Sequence, residues 1–237
     1  MNKTLITGFV NRYALGNSVE SVKWEVKNQI LTTAFKTLDK TCRGTVSANN
    51  IDILDSELGI FNTEQLMRML SILDNDVIVD IRKQHGVPVA LDISDSTTSV
   101  GFVLGQLDII PNPGKLKMIP TFALSIDITT DFANKFLKSS GALPDCNYFT
   151  ITRDVMDTQL VFGYSDINSN TVAYAVQSTA TQDIEAIHFS SDIMRDILVA
   201  NKGNTGLIEV SPVGLMRVSF NTVDYNSEYY LVNKQID

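Results

Sequence analysis

Apolar positions along this chain switch between two periods, and the switch recurs four times. Stretches with apolar residues three or four apart predict helices at Asn2 to Leu15, Asn62 to Asp74, Thr129 to Gly141 and Ser190 to Gly203. In the first, Leu5, Ile6, Phe9, Val10 and Tyr13 form the stripe, and Gly16 stands where a left-handed C-terminal cap is expected. The second opens with Asn62 and has Gln65 three positions on, a capping-box spacing that satisfies orphan backbone donors, before Leu66, Leu70 and Leu73. The third, capped by Thr129 or Thr130, buries Phe132, Phe136 and Leu137 and ends at Gly141.

Between the helices, apolar and polar residues alternate as they do in strands with one buried face. Strands are expected at Val19 to Val26, Ile30 to Thr37, Cys42 to Ser47 and near Ile51 to Ile60, then at Val77 to Arg82, Val87 to Ile93 and Thr98 to Leu104. After a gap the pattern restarts with Thr121 to Ile128, Tyr148 to Arg153, Gln159 to Tyr164 and Thr171 to Gln177. It finishes with Ala186 to Phe189, Leu207 to Ser211, Leu215 to Phe220 and Tyr229 to Val232. Each helix is thus followed by about three strands, which reads as two similar α+β domains with two copies of one unit in each. The gap, Asp108 to Pro120, holds Pro111, Pro113, Gly114 and Pro120 and cannot be a regular helix or central strand. The expected division is therefore residues 1–110, a connector over 111–120, and 121–237, each domain packing two helices on antiparallel sheets.

Composition narrows the function classes. Of 237 residues, 44% are hydrophobic and 19% charged, as in ordinary globular proteins. The apolar runs are strand-sized and the N-terminus lacks a signal-peptide core, so a cytoplasmic protein with no membrane partner is expected. Two cysteines, Cys42 and Cys146, one per domain, fit buried thiols better than a disulfide framework or a zinc site. The net charge of −8 argues against coating nucleic acid with the whole surface, because phosphate contacts need Lys and Arg.

Enzyme chemistry finds little support. One histidine per domain, His85 in a hairpin turn and His188 in a strand, makes neither a zinc triad nor an obvious nucleophile and base pair. Strand alternation places Asp52 on the face opposite Asp55 and Glu57, so these read as solvated charges and not as a metal site. No phosphate-binding or dinucleotide glycine motif is present, and the Gly203 to Gly206 turn is too short to cradle phosphates. No catalytic residue, metal or cofactor is expected.

The order of elements resembles the DNA polymerase sliding clamps of T-even bacteriophages. The likeness is carried by the acidic strand leading into the capped helix over Ile53 to Leu73, the strand and helix over Ile126 to Leu137, and the strand pair from Val218 to Val232. The resemblance implies a DNA-clamp fold and a homotrimeric ring whose helices face the pore. It further implies sequence-independent contact with double-stranded DNA, a tethered DNA polymerase, and loading by a separate clamp-loader ATPase. If viral, the protein would act in the cytoplasm of the infected cell.

That reading requires basic helix faces on an acidic chain. The helices carry Lys3, Arg12, Arg68, Lys135, Lys138, Arg195 and Lys202, against Glu64, Asp131, Asp192 and Asp196. Glu64, Asp131 and Asp192 lie in first turns, where the helix dipole favours acids in any protein, although an ordinary solvated face would also carry pairs such as Lys135 and Lys138. The resemblance further assigns a partner-peptide surface to Ile109, Ile110, Leu116, Met118 and Ile119 with Tyr229 and Tyr230, all of which would serve equally to close the domain cores. It assigns the subunit interface to the strands carrying Val100, Phe102, Leu104 and Val172, Tyr174, Val176, which lack the Pro and Lys that block edge pairing. The alternative is a non-enzymatic viral structural or assembly protein with duplicated α+β domains; a lesser one is a monomeric processivity factor of the same fold.

Overall fold

Asn2, Asn62, Thr129 and Ser190 each turn a side-chain oxygen onto a backbone N–H two or three residues ahead. Each begins a helix: α1 (Lys3–Ala14), α2 (Thr63–Ile72), α3 (Thr130–Ala142) and α4 (Ser191–Ala200). Such caps contribute about 1 kcal/mol apiece. Helix ends follow the sequence less closely. At the end of α1 the left-handed run starts at Leu15 (φ 43°), one residue before Gly16. The third helix runs past Gly141, and α4 stops at Ala200, which leaves Lys202 in the turn beyond it.

The computed structural model describes residues 1–114, 116, 118–154, 157–163 and 169–235. Lys115 and Lys117 of the expected connector, and Tyr164 at the end of an expected strand, lie outside the described residues. The strands are β1 (Val22–Lys27), β2 (Ile30–Lys36), β3 (Cys42–Ala48), β4 (Ser56–Ile60), β5 (Ile78–Gln84), β6 (Val87–Ser94), β7 (Ser99–Val103) and β8 (Leu124–Ile128). They continue as β9 (Tyr148–Arg153), β10 (Thr158–Phe162), β11 (Val172–Val176), β12 (Thr179–Ala180), β13 (Ile184–Ser190), β14 (Gly206–Ser211), β15 (Leu215–Asn221) and β16 (Tyr225–Val232).

Two units emerge. The first comprises Met1–Leu38, Gly44–Gly114 and Thr222–Ser227; the second comprises Asp39–Arg43, Lys115–Asn221 and Glu228–Asp237. In the first, strands run in the order β3-β2-β1-β4, a second sheet has the order β5-β6-β7, and α1 packs beside α2. In the second the orders are β12-β8-β14-β15-β16 and β11-β10-β9-β13, and α3 packs beside α4. The duplicated plan is therefore real at the level of elements.

Large aromatic side chains fill both cores. In the first unit the Phe9 ring meets Tyr13 and Trp24 edge-on at 5.5 and 5.6 Å, so one turn of α1 is keyed to β1. In the second, Phe136 of α3 contacts Phe149 and Phe162 edge-on at 4.9 and 5.0 Å. Each such pair adds about 1 kcal/mol to the burial of its area. Cys146 is buried here, donating to the Tyr148 carbonyl and accepting from the Gly163 N–H, and Cys42 is buried as well.

Glycine matters at two close approaches. Gly59 and Gly105 form an antiparallel bridge with Gly105 N–H donating to the Gly59 carbonyl at 2.8 Å, and a Cβ on Gly59 would run into that partner's backbone. Gly8 sits mid-helix in α1, where a Cβ would strike the Tyr225 hydroxyl, which donates to the carbonyls of Thr4 and Leu5 at 3.0 and 3.2 Å. Helix propensity alone favours Gly8→Ala by about 1 kcal/mol. We expect the opposite sign: the variant unfolds at lower urea concentration than the parent, because Tyr225 must leave its site. An unchanged or raised midpoint would show that Tyr225 does not hold α1.

Candidate nucleic-acid interface

Each helix buries one stripe and leaves the other in water, and the cations on the wet side differ in what they touch. Arg12 departs from expectation. It is only 7% exposed, its guanidinium lies 3.8 Å from the centre of the Tyr225 ring, and Nη1 donates to the Gly8 carbonyl at 2.8 Å. A cation stacked in this way is a packing element of α1 and offers no solvent-facing charge, so the expected DNA role for Arg12 is corrected. The cause is a contact from more than two hundred residues away, invisible to helical periodicity. Lys3 is half-buried and donates through Nζ to the Leu73 carbonyl at the end of α2, where the helix dipole is negative. Arg68 is exposed and paired with Glu64 one turn before it.

In the second unit, Lys135 is exposed with Nζ 4.3 Å above the Tyr174 ring. Lys138, one turn further on α3, is exposed. Arg195 reaches Asp192 at 3.2 Å and Asp196 at 3.9 Å. Burial raises the Asp196 carboxyl above its ordinary range, while Arg195 pulls it back. Lys202 is exposed but follows α4 and is not part of it.

The strands expected at a subunit boundary are sheet edges. β7 ends the order β5-β6-β7, and β11 ends β11-β10-β9-β13. Their outward faces carry small or apolar residues: Ser99, Gly101 and Val103 on β7, Ala173 and Ala175 on β11. Of the named interface residues, Val100, Leu104, Val172, Tyr174 and Val176 are half-buried, whereas Phe102 is fully buried and stacked on Phe61 at 5.7 Å. Phe102 thus belongs to its own core, a correction that follows from strand alternation once the inward face is known. Alongside β11 runs an open cleft of about 720 Å³ lined by Asp127, Asp131, Phe132, Lys135, Tyr174 and Gln177, among others. Burial pushes the Tyr174 phenol up to about 12.

The seven residues assigned to a partner surface separate cleanly. Met118 is 84% exposed, and Ile109, Leu116 and Ile119 are also exposed. Ile110, Tyr229 and Tyr230 are buried. Ile110 fills the space left by Gly59 and Gly105. The Tyr229 hydroxyl accepts from Asn201 Nδ2 at 3.1 Å inside the second unit. These three are core residues and are removed from the partner surface.

Among the described residues, the remaining chemistry-bearing side chains lie apart from one another. His188 Nδ1 lies 2.8 Å from the Thr150 hydroxyl, and burial lowers its pKa. His85 adopts a left-handed conformation in the β5–β6 turn. Asp55 accepts from the Asn28 N–H at 3.0 Å. Among the described residues no group of three or more His, Cys, Asp or Glu could hold a metal ion, and no helix is long and apolar enough to cross a membrane.

The fold has known counterparts. Proliferating cellular nuclear antigen (PCNA) from Entamoeba histolytica superposes with a TM-score of 0.78 at 14% identity, over 99% of this chain and 96% of the other. The A. fulgidus PCNA, in a structure with the C-terminal region of FEN-1 bound, gives 0.76 at 13% identity over 100% and 98%. No protein-family profile matches the chain, and neither does any curated protein. The DNA-clamp fold expected from the order of elements is therefore the fold of this chain, shared with these PCNA structures at an identity too low to carry function.

The edge strand β7 is held by a turn that the sequence reading passed over. Asp95 between β6 and β7 accepts backbone N–H bonds from Asp74, Thr97 and Thr98, each at 2.7 Å, so one carboxylate ties the end of α2 to the start of β7. These donors lower its carboxyl to about 2, Asp74 contributing most. A folded-state pKa below the unfolded value of about 3.9 adds stability that is fully present above about pH 4 and is lost as pH falls towards 2. We expect Asp95→Asn to be less stable than the parent at pH 6, with the gap closing as pH falls from about 4 to about 2. Parallel loss of stability in both proteins across that window would remove Asp95 from this role.

Proposed function

We propose that this protein is a sliding clamp: three copies close into a ring of six units around duplex DNA and tether a DNA polymerase without catalysing any reaction. One observation carries the reading. The duplicated units each pair two capped helices on sheets that end in an unpaired, charge-free strand, within the fold of PCNA. In this arrangement β7 of one copy adds to β11 of the next, and the helices turn to the DNA.

The chemistry required of such a protein is modest. A closed ring holds its polymerase near the template by topology, so each re-encounter is effectively intramolecular. Phosphate attraction need only be diffuse, without base readout. A separate ATPase would open and place the ring. The exposed connector residues Ile109, Leu116, Met118 and Ile119 form the surface proposed for a partner's apolar peptide, Met118 being adaptable enough to serve several partners. The A. fulgidus PCNA structure likewise has a segment of another protein bound, the C-terminal region of FEN-1. Viral origin, and with it the cytoplasm of an infected cell, rests on the resemblance of Ile53 to Leu73, Ile126 to Leu137 and Val218 to Val232 to phage clamps.

Light scattering on the purified protein is the first test, and the expected mass is three times the 26.2 kDa of one chain. A single-chain mass favours an open, monomeric processivity factor, and large assemblies favour a virion component. Addition of the trimer together with its loader is expected to lengthen products made by the cognate polymerase at least about a hundredfold, the low end of the gain that tethering gives to avidity. Product lengths unchanged by the trimer would end the clamp reading.

A further inference from the structure

Resting on that reading, we propose that the addition of β7 to β11 of the next copy runs antiparallel, and that its register is locked by Arg153 of one copy against Asp95 and Asp74 of the other. Arg153 closes β9, and its Nη1 donates to the Thr158 and Ser178 hydroxyls at 3.1 and 3.2 Å. Those hydroxyls are 2.7 Å apart and Thr158 is buried, so the guanidinium is propped beside Ser178, just past the end of β11. It borders an open cleft of about 510 Å³ together with Asp157, Val176 and Gln177. Among the described residues no carboxylate lies within ion-pair distance of Arg153. A planar fork built to grip a carboxylate is thus held in place without one.

The matching anions stand at the start of β7. Asp95 is fixed by the backbone N–H groups of Asp74, Thr97 and Thr98, and these donors keep its carboxyl ionised. Asp74 is exposed beside it. Among the described residues neither acid has a lysine or arginine within ion-pair distance. The sheets that end in β7 and β11 are antiparallel throughout. Continued in that sense with the inward faces together, β7 lies on β11 with Val100 opposite Val176, Phe102 opposite Tyr174 and Leu104 opposite Val172. Thr98 then falls opposite Ser178, and the Asp95 turn arrives at the Arg153 guanidinium. A parallel addition would carry that turn to the other end of β11 and leave these charges unmatched. A slip of one residue would turn the half-buried faces outward. Complementary charge of this kind selects partner and register more than it adds affinity.

The test is light scattering of the whole protein through a dilution series at low salt, which reads the concentration at which the trimer comes apart. Arg153→Glu is expected to raise that concentration at least about tenfold, because carboxylates then face carboxylates. Adding Asp74→Arg to it is expected to recover at least about threefold of the loss, the non-additivity of a pair in contact. Asp74→Arg alone changes an exposed side chain and is also expected to weaken the trimer, so the inference can fail even if Arg153→Glu does not fold. Either single variant assembling like the parent, or a combined variant no tighter than Arg153→Glu, overturns the inference and leaves the clamp reading standing. A parent that is monomeric at every concentration overturns both.

Discussion

Helices of ten to thirteen residues are marginal in water by themselves, and the four in this protein exist because one stripe of each is withdrawn into a core. Phe9 against Trp24 does this for α1, and Phe136 between Phe149 and Phe162 does it for α3. This requirement sets the opposite face as well. A helix pinned by an apolar stripe must leave its remaining side chains in water, and in a duplicated fold the same choice is made four times. What those wet faces carry is then free to vary without risk to the fold. The paired Arg68 and the unpaired Lys138 occupy such positions on different units.

Much of this was legible in the chain, for identifiable reasons. All four helix starts fall within one residue of expectation, because Asn2, Asn62, Thr129 and Ser190 are caps whose chemistry is local. The edge positions of β7 and β11 are those the resemblance implies; their lack of Pro and Lys suits an edge that expects a partner but would suit an internal strand equally. Helix ends were read less well. Gly16 and Gly141 drew the boundary to themselves, although Leu15 adopts the left-handed conformation first and α3 continues through Gly141.

The departures in the candidate site share one cause. Arg12 is placed by helical spacing, and Ile110, Phe102, Tyr229 and Tyr230 by the family resemblance, but each is claimed by a contact or a core that neither periodicity nor resemblance encodes. Arg12 is the clearest instance. Its partner Tyr225 belongs to a six-residue segment, Thr222–Ser227, that the chain returns to the first unit after building most of the second. Gly8 was the available signal. A glycine in the middle of an otherwise sound helix costs about 1 kcal/mol and asks for a reason, here the room required by Tyr225.

With Arg12 buried and Lys3, Arg68 and Arg195 engaged, few helix cations stand free in water on a chain that is acidic overall. For a protein that binds one DNA site this scarcity would be a defect, since affinity falls with each lost phosphate contact. For a ring the logic reverses. Topology supplies the holding, so strong phosphate contacts would add friction by making each step along the duplex break them. On the proposed reading, a few unpaired lysines on flexible stems would pass from one phosphate to the next and keep the DNA centred at small cost to mobility. Sparse free charge on the helices is thus what the proposed sliding function would select.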